Sequence, residues 1–499
     1  MAADTGAVGK VPDSTVVDSV VTEEETVKSL LFKRDNLFGR RQIILNYLDV
    51  DDSNIIEALS QAVSIHNVNA DEIDYLWNYY KGKHPVLHRV KEIRPEITNK
   101  VTVNIAYETV SFAVGYQTGE PILYVGRKAD DEVTERINTL NDYMEAEDKA
   151  SQDEEIVEWQ SVCGDAYRMV LADNSGEEDE SPFELYCQDP RNTGVAYSSG
   201  IGNKKLFGFV RYKVGDETEY AVYTERKVYY IRNSKVVRSE PWYWGIIPIF
   251  EYPANKARLG RFEIALSLMD ALDALESNCM DGVEQTIQAL WKFINCEIDG
   301  NGLKEAKELG AVMIKSVQGM NADVDVVKND LNQDQVQTLK KDLYQLILNI
   351  CGVPNRNGGS STSDTGSAVI FRDGWESAEA RAKSLEHAFK RSEKQVLKLV
   401  LKMCKELAKG QLKLSDISIK FTRRNYENIQ SKAQVLTMML ASPKIHPKLA
   451  FEACGLFSDA EGAYTMSDEY YRKQMELWDP KEVDENEPKQ PEIADGGGG

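Results

Sequence analysis

The sequence is poor in the residues that build metal sites and disulfide frameworks. Seven cysteines stand far apart among 499 residues, none with CxxC spacing, and the five histidines are scattered. Such cysteines favour a reducing compartment over secretion. His84 and His88 are four residues apart, but Pro85 prevents a regular helix between them, and no cysteine or glutamate completes a ligand set. We therefore expect no metal site and no cofactor.

Motifs for catalysis and nucleotide binding are also missing. There is no GxxxxGKS/T loop to cradle a phosphate and no GxSxG segment to present a nucleophilic serine. The one GxG lies in SSGIGNKKLFG, between short aromatic and β-branched runs that favour a turn. The acidic clusters could be ligands of a two-metal nuclease, but nothing basic or glycine-rich accompanies them, so a solvated acidic surface is the better interpretation. We expect no enzymatic activity.

Long hydrophobic runs are absent. The longest, WYWGIIPIF at residues 242–250, is far shorter than the ~20 residues that span a bilayer. The N-terminus lacks the basic region and apolar core of a signal peptide. These features predict a soluble, intracellular protein without a membrane partner.

Basic side chains are fewer than acidic ones. The chain has 81 acidic and 59 basic side chains, a net charge of −22. A protein that grips nucleic acid over its whole surface would be basic, so this chain either avoids DNA or must not adhere to it.

The most informative segment is a helix, a long polar loop and a longer helix. The first helix, residues 334–352, carries Val336, Leu339, Leu343, Leu346, Ile347 and Ile350 on one stripe, and Gly352 and Pro354 end it. The loop NRNGGSSTSDTGSAVIFRDG follows, and loops of this length are usually functional or disordered. The second helix is predicted from Trp375 to about Ala408.

A basic stripe follows the second helix at 3–4 spacing. Its members are Arg391, Lys394, Lys398, Lys402, Lys405 and Lys409. The simpler interpretation is a solvated face. The alternative is contact with an acidic surface, either DNA or a neighbouring acidic subunit.

The remaining chain divides into helical and β-rich parts. Residues 55–81 read as a helix, and residues 99–125 as an apolar helix with a strand-like finish, broken at Gly119 and Pro121. Residues 131–172 read as two acidic-faced helices, and residues 183–252 as an antiparallel β meander. A helix at residues 263–290, with a buried face including Ile264, Leu268, Leu272, Met280 and Val283, precedes a compact insert at 293–330. Within the insert we predict a strand at 293–300, a helix at 303–310 and a strand at 311–317, followed by an acidic end at 321–328. The insert separates two long helices, so its ends must lie close together if those helices pack antiparallel. A strand and three short helical pieces follow to about Glu476.

Five segments, in order over roughly residues 70–440, resemble the portal proteins of tailed double-stranded DNA bacteriophages, of the type in long-tailed phages of Gram-positive hosts. The matching residues are Tyr79, Tyr80, Gly82, Asn99, Asn104, Gly115, Tyr116, Gly119 and Pro121, then Gly164, Ala166 and Tyr167, then Pro248, Glu251, Tyr252, Asn255, Arg258, Gly260, Leu268, Asp270 and Ser277. The fourth and fifth segments are CGVPN…TGSAVIF and IKFTRRNYENIQ. The fifth has an extra arginine, and Tyr426 stands where the family usually has proline.

The resemblance implies an α+β portal fold with an α/β wing, an antiparallel two-helix stem, a small α/β clip and a helical crown, assembled as a ring. The implied divisions are an acidic N-terminal arm (1–44), the wing (45–258), the first stem helix (259–292), the clip (293–333), the second stem helix (334–354), the tunnel loop (355–372), the long wing helix (373–410), the crown (411–476) and a disordered acidic tail (477–499).

The resemblance also implies site residues and partners. The DNA-facing tunnel loop would contain Asn355, Arg356, Asn357, Gly358, Gly359, Ser360, Ser361, Thr362, Ser363, Asp364 and Thr365. The clip would dock the terminase large subunit and then the head–tail adaptor through Glu297, Asp299, Lys304, Glu305, Lys307, Glu308 and Lys315. Further implied partners are other copies in a dodecamer, double-stranded DNA in the channel, and the major capsid and scaffolding proteins.

Two other function classes stay open at this point. A non-phage helical adaptor or scaffold protein would oligomerise through its long helices without a closed, DNA-wide ring. A metal-dependent nuclease would need a ligand set, and the sequence offers none that we can identify.

Overall fold

The computed structural model describes residues 39–92, 95–127, 131–173, 181–287, 290–294, 296–297, 315–316, 323–327, 333–354, 374–404, 412–423, 429–457 and 460–478. These residues combine helices and sheets, an α+β fold. They fall into two compact units: the first holds the described residues up to 354 together with 374–423, and the second holds 429–457 and 460–478.

Four helices open the first unit: α1 (Ile55–Tyr80), α2 (Ile105–Gln117), α3 (Asp131–Ala146) and α4 (Lys149–Cys163). The helix predicted at 55–81 is confirmed, and so is the helix with a strand-like finish predicted at 99–125, which corresponds to α2 and a strand at Leu123–Gly126. The Asn104 side chain begins α2 by accepting the Tyr107 N–H. The prediction that helix continues to residue 172 is wrong. Gly164 takes a left-handed φ of +81° and ends α4, and the chain then turns into a strand.

Two sheets follow. Their strands are β1 (Ile43–Leu45), β2 (Leu123–Gly126), β3 (Tyr167–Ala172), β4 (Phe183–Gln188), β5 (Thr193–Ser198), β6 (Lys205–Val214), β7 (Glu217–Tyr223), β8 (Lys227–Arg232), β9 (Lys235–Pro241) and β10 (Ile249–Glu251). The larger sheet has the order β1-β5-β6-β7-β8-β9, and the smaller has the order β10-β3-β4. Strand β2 belongs to neither.

The predicted single meander is therefore correct only for β5–β9. Strands β4 and β10 pair with β3 instead, because Phe183 and Phe250 are buried in the helical core of the unit. A second correction concerns the predicted N-terminal arm. Strand β1 starts at Ile43, inside that arm, and Arg40 is buried against Glu72 at 3.1 Å and Glu263 at 2.7 Å. Residues 1–38 lie outside the described part.

The stem prediction corresponds to α5 (Leu266–Ile287), preceded by a 3-10 turn at Glu263–Ala265, and to α6 (Gln333–Cys351). Between them stand β11 (Leu290–Ile294), β12 (Cys296–Glu297), β13 (Lys315–Ser316) and β14 (Asp323–Val327). β11 and β14 pair antiparallel with Leu290 opposite Val327, which confirms that the ends of the insert lie close together. β11 begins within the predicted helix, and β14 occupies an acidic segment for which no strand is predicted. The predicted helix at 303–310 lies outside the described residues.

The buried faces predicted for the two stem helices are only partly buried. Ile264, Met280 and Val283 are exposed, and so are Leu339 and Leu346 of α6. Two helices that pack on each other cover only the sides that face one another. An apolar surface therefore remains open on a single subunit.

The first unit ends with α7 (Trp375–Met403) and β15 (Ile417–Lys420), which pairs antiparallel with β2. The helix predicted to residue 408 is described to Met403, and residues 405–411 lie outside the described part. The second unit contains α8 (Ile429–Leu440), α9 (Pro447–Cys454) and α10 (Ala460–Trp478), which confirms the three predicted helical pieces. Among the described residues, no helix has both the length and the apolar character needed to cross a bilayer.

Candidate functional site

The predicted tunnel loop, residues 355–372, lies entirely outside the described residues, including every DNA-facing candidate from Asn355 to Thr365. Its two anchors are described. Helix α6 ends at Cys351 on one side, and α7 begins at Trp375 on the other. The structure therefore shows which residues fix the two helix ends between which the predicted loop runs.

The C-terminus of α6 is closed as the sequence predicts. Gly352 has a φ of +68°, the Val353 N–H donates to the Leu348 carbonyl at 2.9 Å, and the Gly352 N–H donates to the Asn349 carbonyl at 3.2 Å. This pattern is a Schellman motif, which requires the left-handed conformation that glycine adopts without strain.

Two arginines then bind the remaining carbonyl oxygens of this helix end. Arg381 of α7 donates to Ile350 at 2.6 Å and to Asn349 at 3.4 Å. Arg261, just before α5, donates to Cys351 at 2.9 Å and to Gly352 at 3.0 Å. We call this pair the arginine clamp.

The clamp suits the negative end of a helix dipole, where cations are favourable. It also brings two like charges together. Burial and the neighbouring Arg381 lower the pKa of Arg261 to about 10. The clamp fixes the base of the predicted loop both to the segment just before α5 and to α7. Sequence reasoning missed it, because 120 residues separate Arg261 from Arg381 and neither stands in a motif.

The predicted clip residues are described only in part. Glu297 and Lys315 are direct partners across the antiparallel pair β12–β13, so the structure brings these two together. Asp299, Lys304, Glu305, Lys307 and Glu308 lie outside the described residues.

A polar ladder fastens α5 to the segment before α2. The acceptors Asp270, Asp273, Ser277 and Asp281 recur at 3–4 spacing on one face of α5. They accept hydrogen bonds from the Tyr79 hydroxyl at 2.8 Å, from the Val103 N–H at 2.7 Å, from the Val101 N–H at 3.0 Å and from the Asn99 N–H at 2.7 Å. Tyr79, Asn99, Asp270 and Ser277 were each identified separately from the sequence. The structure explains them as members of one ladder, in which the side chains of α5 satisfy extended backbone that has no strand partner.

His84 belongs to the same ladder. It is buried, with one ring nitrogen 2.5 Å from Asp273 and the other 3.1 Å from the Tyr79 carbonyl. Within the described part of the chain, no group of three or more His, Cys, Asp or Glu side chains is arranged to hold a metal ion.

The two stem helices are also joined to each other and to the wing. Lys340 of α6 forms an ion pair with Glu276 of α5 at 2.6 Å, and the Tyr344 hydroxyl donates to Glu108 of α2 at 3.0 Å. Together with the ladder, these contacts hold α5 and α6 against α1, α2 and the segment before α2.

The basic stripe on α7 divides into members with different surroundings. Arg391, Lys394 and Lys398 are exposed. Lys402 donates to the Trp244 carbonyl at 3.2 Å, so it has a structural partner. Lys405 and Lys409 lie outside the described residues.

The inner face of α7 carries a buried ionic cluster. Glu393 is fully buried and bonded to Arg168 of β3 at 3.1 Å. Arg168 in turn binds Asp153 of α4 at 2.5 Å, and Lys149 binds both Asp153 and Glu393. Two cations and two carboxylates thus neutralise one another, and the Tyr124 and Tyr252 hydroxyls donate to Glu393.

The charge state of Glu393 follows from these contacts. Burial alone would raise its pKa, but Lys149 and Arg168 outweigh burial and lower the pKa of Glu393 to about 2. The carboxylate is therefore ionised at neutral pH. The cluster ties α7 to α4 and β3.

Comparison with known proteins identifies the family to which the chain belongs. No curated protein matches the chain. Among solved structures, a chain described as "Neck of empty GTA particle computed with C6 symmetry" aligns with 12% identity and a TM-score of 0.42, covering 70% of this chain and 90% of that one. The family described as "Phage portal protein, SPP1 Gp6-like" matches residues 60–488. This chain therefore belongs to the SPP1 Gp6-like family of phage portal proteins.

Proposed function

We propose that this chain forms the ring at the unique vertex of a phage capsid, through which double-stranded DNA is packaged and later ejected. The observation that carries the proposal is membership of the portal family over residues 60–488. The proposed ring is a dodecamer. The proposed role is structural, and we assign it no reaction.

The exposed apolar side chains of the stem support assembly. Met280, Val283, Leu339 and Leu346 are each between 45% and 53% exposed on the single subunit. Neighbouring stem helices in a ring would cover them, which removes apolar surface from water.

The charge of the chain suits a DNA conduit. With a net charge of −22, a ring multiplies the negative field and keeps phosphates from adhering to the wall. The predicted tunnel loop, rooted at the arginine clamp, would offer hydroxyl and amide groups to the passing DNA without a dense positive charge. Uniform strong phosphate binding would instead stall the DNA.

We assign docking of the terminase large subunit, and afterwards of the head–tail adaptor, to the insert between α5 and α6. The ring would contact scaffolding and major capsid proteins during assembly in the host cytoplasm and remain in the virion.

Electron microscopy of the purified chain tests the ring. End-on class averages should show closed rings of about twelve subunits around a channel wide enough for duplex DNA. Monomers, dimers or open filaments at every salt concentration would contradict the proposal and favour a helical adaptor.

The insert offers a sharper test of docking. Because Glu297 and Lys315 are cross-strand partners, a linker of about three residues can replace residues 298–314 and close the hairpin. We expect this variant to form rings and to lose terminase binding in a pull-down assay. Terminase binding equal to that of the wild type would remove the insert from this role.

A further inference from the structure

Three exposed cations on α7 have no counterion among the described residues. Arg391, Lys394 and Lys398 recur at 3–4 spacing and therefore share one side of the helix. Other charges of α7 are used internally: Lys390 pairs with Glu386, and Lys383 with Glu379. We call the three unpaired cations the basic ridge.

A cavity of about 830 Å³ extends the positive surface beside the basic ridge. Arg391 lines it together with Lys205 and Lys256. Glu251 also lines it, but Arg258 already binds that carboxylate at 2.6 Å. Burial lowers the pKa of Lys205 to about 8, as expected for an ammonium group that lacks sufficient compensation. The cavity therefore presents uncompensated positive charge.

A second helix has the complementary pattern. On α3, Asp131, Glu135, Asp142 and Glu145 follow one another at intervals of four, seven and three residues, which places them along one exposed side. No ion pair involves them within the described ranges. Arg136 is the one cation of α3, and it pairs with Glu132. We call these four carboxylates the acidic ridge.

Each ridge lies on the side of its helix that points away from the buried core. Strand β2 lies between their helices. The Asn141 side chain of α3 binds the backbone N–H and carbonyl of Tyr124, while the Tyr124 hydroxyl donates to Glu393 on the inner face of α7. On α3 the acidic ridge lies opposite the buried Ile137, Leu140 and Met144. On α7 the basic ridge lies opposite the buried Glu393, Val396 and Val400, and no ion pair joins the two ridges within the described residues.

We propose that the basic ridge of one copy, with its cavity, receives the acidic ridge of the next copy. Two different surfaces of a subunit that complement each other produce head-to-tail contacts, which close into a ring when the rotation allows it. This inference rests on the proposed ring and names a contact that holds it. Because the ridges are solvent-exposed charges, the contact weakens as salt rises.

Charge reversal tests the contact. The first variant is Arg391→Glu with Lys394→Glu and Lys398→Glu, and the second is Glu135→Lys with Asp142→Lys and Glu145→Lys. We expect each alone to weaken assembly roughly tenfold or more, measured by sedimentation velocity and negative-stain microscopy. A matched control reverses three exposed cations of the larger sheet and the turn beside it: Lys213→Glu, Arg226→Glu and Lys235→Glu. The control should assemble like the wild type.

Mixing supplies the decisive measurement. In a one-to-one mixture of the two variants, reversed ridges meet reversed ridges and native ridges meet native ridges, so assembly should return. A single chain that carries all six reversals should also assemble. Unchanged assembly by either variant, or loss that neither the mixture nor the six-fold variant restores, overturns the inference.

The result separates this inference from the portal proposal. A wild type that forms rings, with variants that do likewise, leaves the portal proposal intact and rejects the ridge contact. A wild type that forms only open filaments, lost on reversal and restored on mixing, rejects the ring and retains the ridge contact.

Discussion

The two faces of α7 carry the same kinds of side chain in opposite environments. Glu393 lies one residue before Lys394 and two after Arg391 in the sequence, yet Glu393 is fully buried while both neighbours are exposed. On the inner face, every charge has an opposite charge within reach. On the outer face, the described residues supply none for Arg391, Lys394 or Lys398. The comparison shows that charge in a helix does not by itself mark the solvent side, because buried charge is tolerated where partners from other elements complete it.

The largest expected effect is on the inner face. Arg168→Met would leave Glu393 and Asp153 buried without their guanidinium partner, and removing one member of a buried ion pair costs about 3–5 kcal/mol. The matched change Arg391→Met on the outer face should alter stability by less than about 0.5 kcal/mol. Urea unfolding of dispersed subunits measures both. Equal effects of the two changes would show that the inner cluster is not a stabilising unit.

The next largest expected effect is the pH dependence of the contribution that Glu393 makes to stability. Its folded-state pKa of about 2 lies below the ordinary value of 4.5, so the ionised form stabilises the fold above pH ~4.5. That contribution is lost as the pH falls through this window towards 2. The stability difference between the wild type and Glu393→Gln should therefore be greatest above pH ~5 and shrink on acidification. A difference that is constant from pH 6 to pH 3 would contradict the assignment.

The expected effect on stability at the arginine clamp is intermediate, since Arg381 is exposed but donates hydrogen bonds to helix carbonyls. Arg381→Ala should cost about 1 kcal/mol. Gly352→Ala should cost about 1–2 kcal/mol, because alanine is strained at this left-handed φ and its Cβ would overlap the Arg381 side chain.

A double-mutant cycle by thermal unfolding separates the two causes. In the Arg381→Ala background, Gly352→Ala should cost less, but the backbone strain should remain. Fully additive effects would show that the arginine side chain and Gly352 do not meet.

The smallest effect is expected for Lys394→Gln. Removing one exposed charge without an internal partner should change subunit stability by no more than about 0.5 kcal/mol, as measured by urea unfolding. A clear loss of stability would reveal an internal role for the basic ridge and would weaken the contrast between the two faces.

The long helices were predictable because their apolar periodicity and their breakers are local. Helix α1, the two stem helices and α7 were all predicted within a few residues, and the left-handed Gly352 was predicted from its place after an apolar stripe. The strand at Tyr167–Ala172 was missed because a continuous apolar run suits a helix or a buried strand equally. Pairing with β4 on one side and β10 on the other makes this segment a strand, and β10 lies far along the chain.

By itself, the sequence determined the succession of helices, the position of the insert between the stem helices, the excess of negative charge and, through five ordered segments, the portal family. Only the tertiary structure decided which polar residues are partners. Arg168 and Glu393 are 225 residues apart, and Asn99 and Asp281 are 182 apart. The physical reason is that helix periodicity arises from hydrogen bonds four residues apart, whereas the partner of a buried charge is fixed by how whole elements pack.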